Sequence, residues 1–244
     1  MAQPEAYGMS PDVGDAPLIL TLLAGPVVPF GPAGQLSAIH KLPLAGRVPV
    51  GREGLLCDQQ ADRAHHGGVE KALHHYAFEH YQAWLEERPL LAPALKQPGA
   101  FGENFSTLGM TEDNVCIGDV YRAGSVLVQV SQPRRPCWKL NRRFGAEDMA
   151  RRVQDSMRTG WYYRVLKEGE VAAGDALQLI RRPRPDWTLA RVLRCFFHAT
   201  LDYPELRGIA DLPELADSWR QDAALRIERR AAESWRKRLN GSES

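Results

Sequence analysis

From Leu36 to Ile180 the chain repeats one pattern: short runs rich in apolar and β-branched residues, punctuated by Gly, Pro and Asp. Such punctuation predicts a mainly β architecture, an antiparallel sheet closing on itself into a barrel. The plainest strands are Asn114 to Arg122 and Ser125 to Gln132, joined at Ala123-Gly124, and Ala176 to Ile180 after Gly174-Asp175. Gly118-Asp119 and Gly174-Asp175 take similar places before apolar runs, which suggests a shared turn chemistry. Inside this region Val69, Leu73, Tyr76, Ala77, His80 and Trp84 follow a helical period and predict a helix from Val69 to Leu85, ended by Pro89. A weaker helical stretch runs from Ala146 to about Met157.

Pro183-Arg184-Pro185 breaks the last barrel strand and reads as a short, stiff linker, after which the spacing turns helical. Helices are expected over Leu189 to His198, Pro204 to about Ile209 and Glu214 to Leu239. The last carries Leu215, Trp219, Ala223, Ile227, Ala231 and Trp235 as an apolar stripe. Its basic residues, Arg226 among them, alternate with Asp222, Glu228 and Glu233, so they are expected to form a solvated, salt-bridged face. The pattern divides the chain into an N-terminal arm with the first barrel segment (1–35), a barrel (36–182) and a three-helix domain (186–239). Residues 1–15, polar and broken by Gly and Pro, are expected to fray.

Composition narrows the partners. With 31 Lys plus Arg against 30 Asp plus Glu, the net charge of +1 gives no global field to attract nucleic acid or a membrane surface. The apolar stretch from Ala16 to Phe30 is interrupted by Pro17, Gly25, Pro26 and Pro29, so neither a secretory signal nor a membrane span is expected. Cys57, Cys116, Cys137 and Cys195 include no C-x-x-C pair, which fits a reducing, cytoplasmic setting. Cys57, Cys116 and Cys195 lie in apolar runs and are expected to be small buried hydrophobes.

Cys137 stands apart. It lies in Ser131-Gln-Pro-Arg-Arg-Pro-Cys-Trp-Lys139, where Pro133 and Pro136 stop both strand and helix, and Arg134, Arg135 and Lys139 surround it with positive charge. Nearby cations lower a thiol pKa, and the thiolate is the nucleophile and soft-metal ligand. A loop cysteine beside surface arginines is the plainer alternative. Three further segments carry candidate chemistry. His65-His66-Gly67-Gly68 with Lys71, opening onto the expected helix, offers donors and a close backbone approach for a phosphate, or else satisfies barrel-end carbonyls. Gly99-Ala-Phe-Gly-Glu103-Asn104 presents a carboxylate and an amide on a tight turn, for a ligand or for the turn itself. Thr159-Gly-Trp161-Tyr-Tyr-Arg164 sets aromatics beside a guanidinium, to stack a flat heterocycle or to pack a barrel end. His65, His66, His74, His75 and His80 contain no H-E-x-x-H, and His74 and His75 would diverge on a helix, so zinc is not expected.

Taken in order, Asp58-x-Gln60-x-Asp62, His65-His66-Gly67-Gly68 with Lys71, Gly99-x-x-Gly102-Glu103-Asn104, Gly118-Asp119, Gln132-Pro133-Arg134-x-Pro136-Cys137-x-Lys139 and Gly160-Trp161-Tyr162 resemble the MOSC family, the domain related to the C-terminal part of molybdenum-cofactor sulfurase. The likeness is to its YiiM branch, which also carries a small three-helix C-terminal domain, and covers roughly Leu36 to Arg182. It implies a closed barrel that binds molybdenum cofactor (Mo-molybdopterin), with Cys137 as thiolate ligand of the metal. Positions in the matching motifs nominate His65, His66, Gly67, Gly68, Lys71, Arg134, Arg135, Trp161 and Arg164 for cofactor binding, and Glu103 and Asn104 for the pterin edge or substrate side. The implied activity is reduction of N-hydroxylated compounds, such as hydroxylaminopurines, hydroxylamines and amidoximes. No G-x-G-x-x-G follows a strand, so electrons are expected from a separate reductase. The helical domain would dock that donor or pair two copies as a homodimer. Two alternatives stay open: a persulfide sulfur carrier using the same cysteine, and a non-catalytic ligand- or partner-binding module.

Overall fold

The structure, a computed structural model, describes residues 16–30, 34–61 and 67–241. The expected N-terminal arm, residues 1–15, and the candidate residues His65 and His66 lie outside these. The strands are β1 (Thr21–Ala24), β2 (Val28–Pro29), β3 (Leu36–Ser37), β4 (Leu42–Pro43), β5 (Val48–Gly51), β6 (Gly54–Leu55), β7 (Leu73–Ala77), β8 (Phe105–Thr107), β9 (Val120–Ala123), β10 (Val126–Pro133), β11 (Trp161–Lys167), β12 (Gly169–Val171) and β13 (Leu177–Arg181). Eight of them form the main sheet in the order β13-β9-β10-β11-β7-β8-β1-β4. Pairing in it is antiparallel apart from β7 and β8, which run parallel. Small sheets β12-β5-β6 and β2-β3 lie beside it.

The sheet curls until its two sides meet at a narrow seam. Leu18 bridges Ala176, Ile19 N–H donates to the Asp175 carbonyl at 3.0 Å, and Leu177 N–H donates to that of Pro17 at 2.8 Å. β1 is already paired by β8 and β4, so only the residues before it are left to reach β13. The result is a half-barrel with a bridged seam, less complete than the closed barrel expected. Gly118-Asp119 and Gly174-Asp175 do share a turn. Each glycine takes a positive φ (81° and 89°), and each Asp carboxylate accepts the N–H three residues back, Cys116 at 2.9 Å and Ala172 at 2.8 Å.

The helix expected from Val69 to Leu85 is a short 3₁₀ turn (Val69–Lys71), then strand β7, then helix α1 (Glu79–Glu87). β7 lies between β11 and β8, pairing Leu73 with Tyr163 and His75 with both Trp161 and Phe105. A central strand is covered on both faces and shows no polar alternation, so its apolar run mimics a helical stripe. His75 faces the barrel interior, where its ring bonds Tyr163 Oη at 2.9 Å and Thr107 Oγ1 at 2.8 Å. Burial drives its pKa down to about 3, so it serves as a neutral crosslink.

Helices α2 (Lys139–Phe144) and α3 (Met149–Asp155) cover the opposite face of this part of the sheet, where Tyr76, Trp84, Phe101, Leu140, Met149 and Val153 make a second core. Helices α4 (Leu189–Phe197), α5 (Tyr203–Ala210), α6 (Asp217–Arg229) and α7 (Arg236–Asn240) complete the chain. They do not sit apart from the sheet: Leu189, Val192, Phe196 and Trp219 belong to the same apolar core as Val115, Ile117, Val128 and Val130. The last expected helix is cut in two at Arg230, in the left-handed region (φ 52°). Arg226, expected on a solvated face, is buried instead. Its guanidinium lies 4.2 Å from the Phe196 ring centroid, donates to the Phe196 carbonyl at 3.0 Å and pairs with Glu233 at 2.7 Å, which folds the chain back after the break. Cys57 is exposed, whereas Cys116 and Cys195 are buried and their thiols pushed up in pKa by burial. No helix among the described residues is long and apolar enough to cross a membrane.

Candidate functional site

Cys137 lies at a strand-to-helix turn. β10 pairs with β11 as far as Pro133 opposite Trp161, and Arg134 N–H adds one more bond to the Gly160 carbonyl at 2.9 Å. Pro136 prevents further pairing, and Leu140 N–H returns to the Cys137 carbonyl at 2.9 Å as α2 begins. The cysteine is 8% exposed and opens onto a cavity with Arg134, Lys139, Lys71, His74 and Tyr162. Lys71 follows directly on Glu70, whose carbonyl accepts Ser131 Oγ at 2.7 Å and Gln132 Nε2 at 3.0 Å from β10.

The far wall comes from the segment after β3, with Lys41, and from Asp58 to Ala61. Lys41 Nζ is buried against the Asp58 carboxylate; burial lowers its pKa and the carboxylate works against that shift. Asp58 is fixed in turn by Gly25 N–H at 2.9 Å and Asn104 Nδ2 at 2.8 Å. Asn104 also accepts His74 N–H at 2.9 Å and donates to the Leu23 carbonyl at 3.1 Å, so it ties β7 and β1 to the cavity wall. The Gly99-to-Asn104 turn can approach this wall because of its glycines. A Cβ on Gly102 (φ 78°) would stand 3.0 Å from Ile39 Cγ1, and one on Gly99 (φ 106°) 2.6 Å from the Lys41 carbonyl oxygen.

Of the residues nominated from sequence, Cys137, Lys71, Arg134 and Asn104 meet at this cavity. Gly67 and Gly68 do not line it, and no full helix follows them to offer an N-terminal anion site. Glu103 is fully buried inside its own turn, where it accepts Gly99 N–H at 2.6 Å, Phe101 N–H at 3.1 Å and the Tyr81 hydroxyl. Arg135 turns to the helices, 4.3 Å from the Trp219 ring centroid and paired with Asp222 at 2.5 Å. Trp161 is in the barrel interior, stacked on His75 at 4.1 Å. Arg164 pairs with Glu70 and Gln129, outside the cavity lining.

Lys41 and His74, given no cavity role from sequence, line the wall as well, with Asp58, Tyr162 and Lys139, which the sequence motifs contain without an assigned binding role. Strand alternation explains two of them. With 73–77 as a strand, His74 and His75 point to opposite faces, as do Trp161 and Tyr162, so His74 and Tyr162 pair on the cavity side with rings 5.0 Å apart. Burial first, and Arg134 second, hold His74 well below the ordinary histidine pKa, so it is neutral. Lys41 had no comparable signal, being a lysine in an apolar segment whose partner is 17 positions away.

The donor set is a thiol, several cations and buried polar atoms without protein partners. Arg134 Nη1 and His74 Nε2 are both buried and unpaired, and at such sites a ligand or water makes up the missing bonds. The set suits an anionic ligand carrying a soft, thiolate-seeking centre.

Comparison with known proteins identifies the family. The MOSC domain profile matches residues 62–178, and the profile described as YiiM-like, 3-alpha helix domain matches residues 187–230. The Escherichia coli (strain K12) protein named YiiM is 39% identical over 210 residues, spanning 86% of this chain and 93% of its own. Its crystal structure superposes with a TM-score of 0.78 at 32% identity, covering 91% of this chain and 98% of that one. A Gibberella moniliformis protein named "Reductase" is 41% identical over 179 residues, 72% of this chain but 32% of its own length. The chain therefore belongs to the MOSC-domain family, in the branch that joins this domain to the YiiM-like three-helix domain.

Proposed function

We propose that this protein binds molybdenum cofactor at the Cys137 cavity and reduces N-hydroxylated compounds such as hydroxylaminopurines, hydroxylamines and amidoximes. The observation that carries the proposal is the gathering of Cys137, Arg134, Lys71 and Lys139 on one cavity. Family membership and the fungal relative named "Reductase" support it. Cys137 would hold the metal, and Arg134, Lys71 and Lys139 would hold the phosphate of the pterin, a reading supported by the absence of a protein partner at Arg134 Nη1 among the described residues. The bound cofactor supplies the electron pair that breaks the N–O bond.

The remaining work falls to the chain. Cleavage of an N-hydroxyl group to an amine and water takes up a proton for each electron, and Lys41 Nζ, which lines the cavity and pairs with Asp58, would deliver one. Asn104 keeps Asp58 in place. Glu103 acts one layer further out, holding the turn that presents Gly102 and Asn104. Tyr162 offers a flat face on which a heterocyclic substrate can stack. A separate electron-donating reductase is the partner this reading requires.

The test is reduction of a hydroxylaminopurine by cofactor-loaded protein with an artificial electron donor. Activity that disappears in Cys137→Ala supports the reading. An inactive protein that carries cyanide-labile sulfur on Cys137 would replace it with the persulfide carrier.

A further inference from the structure

The turn that presents Cys137 is braced from behind by the last helix of the chain. Arg238 Nη1 donates to the carbonyl of Pro136, and its Nη2 donates to Gln154 Oε1 at 2.6 Å. On the other side of the cysteine, Trp138 N–H donates to the Arg238 carbonyl at 2.8 Å. One residue, 102 positions from Pro136 in sequence, thus bonds the peptide groups on both sides of Cys137 without touching the cavity. Asn141 Nδ2 adds a bond to the Leu239 carbonyl at 2.9 Å.

Helix propensity does not explain why α7 lies here, because a helix this short is unstable alone. Leu239 seats it, 1% exposed among Leu140, Phe144, Met149 and Val153. The chain is brought back to this place by the left-handed turn at Arg230 and the Arg226–Glu233 pair. The segment also lies beyond residues 187–230, where the three-helix profile ends.

We infer that Arg238 is a positioning residue for Cys137: through its guanidinium and its own carbonyl it fixes the backbone that aims the thiol into the cavity. The inference deepens the proposed role of Cys137 and takes its importance from that role, but its geometry stands without it. Loss of the guanidinium leaves the Pro136 carbonyl without its partner and frees the turn.

The experiment uses cofactor-free, full-length protein. Iodoacetamide labelling at a pH high enough to ionise the thiols, so that loss of the Arg238 charge beside Cys137 does not alter the thiolate fraction, is resolved by peptide mass spectrometry and reports Cys137, with exposed Cys57 as the reagent reference and buried Cys195 as the reference for general loosening. Hydrogen exchange reports the Trp138 amide. Arg238→Met is expected to label Cys137 about tenfold faster, the effect of one lost buried hydrogen bond to a charged group, and to exchange Trp138 faster. Cys57 labelling should hold, and the thermal midpoint should fall by only a few degrees, the cost of the lost bond itself. Arg238→Lys, which keeps a donor for Pro136, should recover most of the wild-type rate. A wild-type rate in Arg238→Met overturns the inference, as does equal acceleration at buried Cys195, which would mean general loosening. Should Arg238→Met fail to fold, Leu239→Ala unseats α7 while leaving Arg238 intact, and an unchanged Cys137 rate there is equally fatal. Because no cofactor is present, a protein that never binds molybdenum would sink the functional reading and leave this one standing.

Discussion

His75 shows how a single buried side chain sets the pH response. Its pKa of about 3 means that the unfolded chain takes up a proton near pH 6.5 that the folded chain refuses. Stability is therefore lost as pH falls from 6.5 toward 3, by about 2 kcal/mol between pH 6.5 and 5 from this residue alone. His74, also held neutral by burial, acts in the same direction. Urea unfolding at pH 7 and pH 5 should show the loss, and a midpoint that does not move would contradict a buried, neutral His75. Glu103 gives a second prediction. Glu103→Gln places an amide donor against one of the backbone N–H groups of Gly99 and Phe101, which bond different carboxylate oxygens, and should cost about 2 kcal/mol in denaturant unfolding. The motif around Glu103 was legible in the sequence, but its role was not, since a carboxylate on a glycine turn looks the same whether it faces a ligand or its own backbone. Arg135 was hidden likewise: only the folded chain brings Asp222 and Trp219 to it.

At the scale of elements, β7 and the Gly99-to-Asn104 turn decide where the cavity lies. Punctuation by Gly, Pro and Asp made most of the β region legible, because turn residues act locally. β7 was not, because a strand buried on both faces loses the alternation by which strands are recognised. Reading β7 as a helix hid His74, which only strand register sets beside Tyr162 on the cavity face. Gly102 gives a test of glycine freedom in this turn. Gly102→Ala combines a left-handed backbone with a Cβ against Ile39, and should destabilise by about 1–2 kcal/mol in thermal or urea unfolding. A neutral effect would mean that the turn has room to relax. The break in the last helix has no local signal either, since it depends on the buried Arg226 pairing with Glu233.

For the molecule as a whole, sheet and helices share one core, although Pro183-Arg184-Pro185 reads as a linker. Ala216 N–H bonds the Ser131 carbonyl at 2.9 Å and Trp219 Nε1 bonds Gln132 Oε1 at 3.1 Å, so α6 also grips the strand that leads to Cys137. A fragment ending at residue 183 would expose Val115, Ile117 and their neighbours, and should lose its cooperative unfolding transition. A sharp transition in that fragment would show the helices to be dispensable for the sheet. The central claim, that this whole assembly presents a thiolate and cations to molybdenum cofactor, is tested most directly by metal and pterin content. Wild-type and Cys137→Ala proteins from a cofactor-competent host would be compared by elemental analysis and oxidised-pterin fluorescence. Stoichiometric molybdenum and pterin in the wild type, with the metal lost in Cys137→Ala, is the predicted result; neither present in either protein would contradict it.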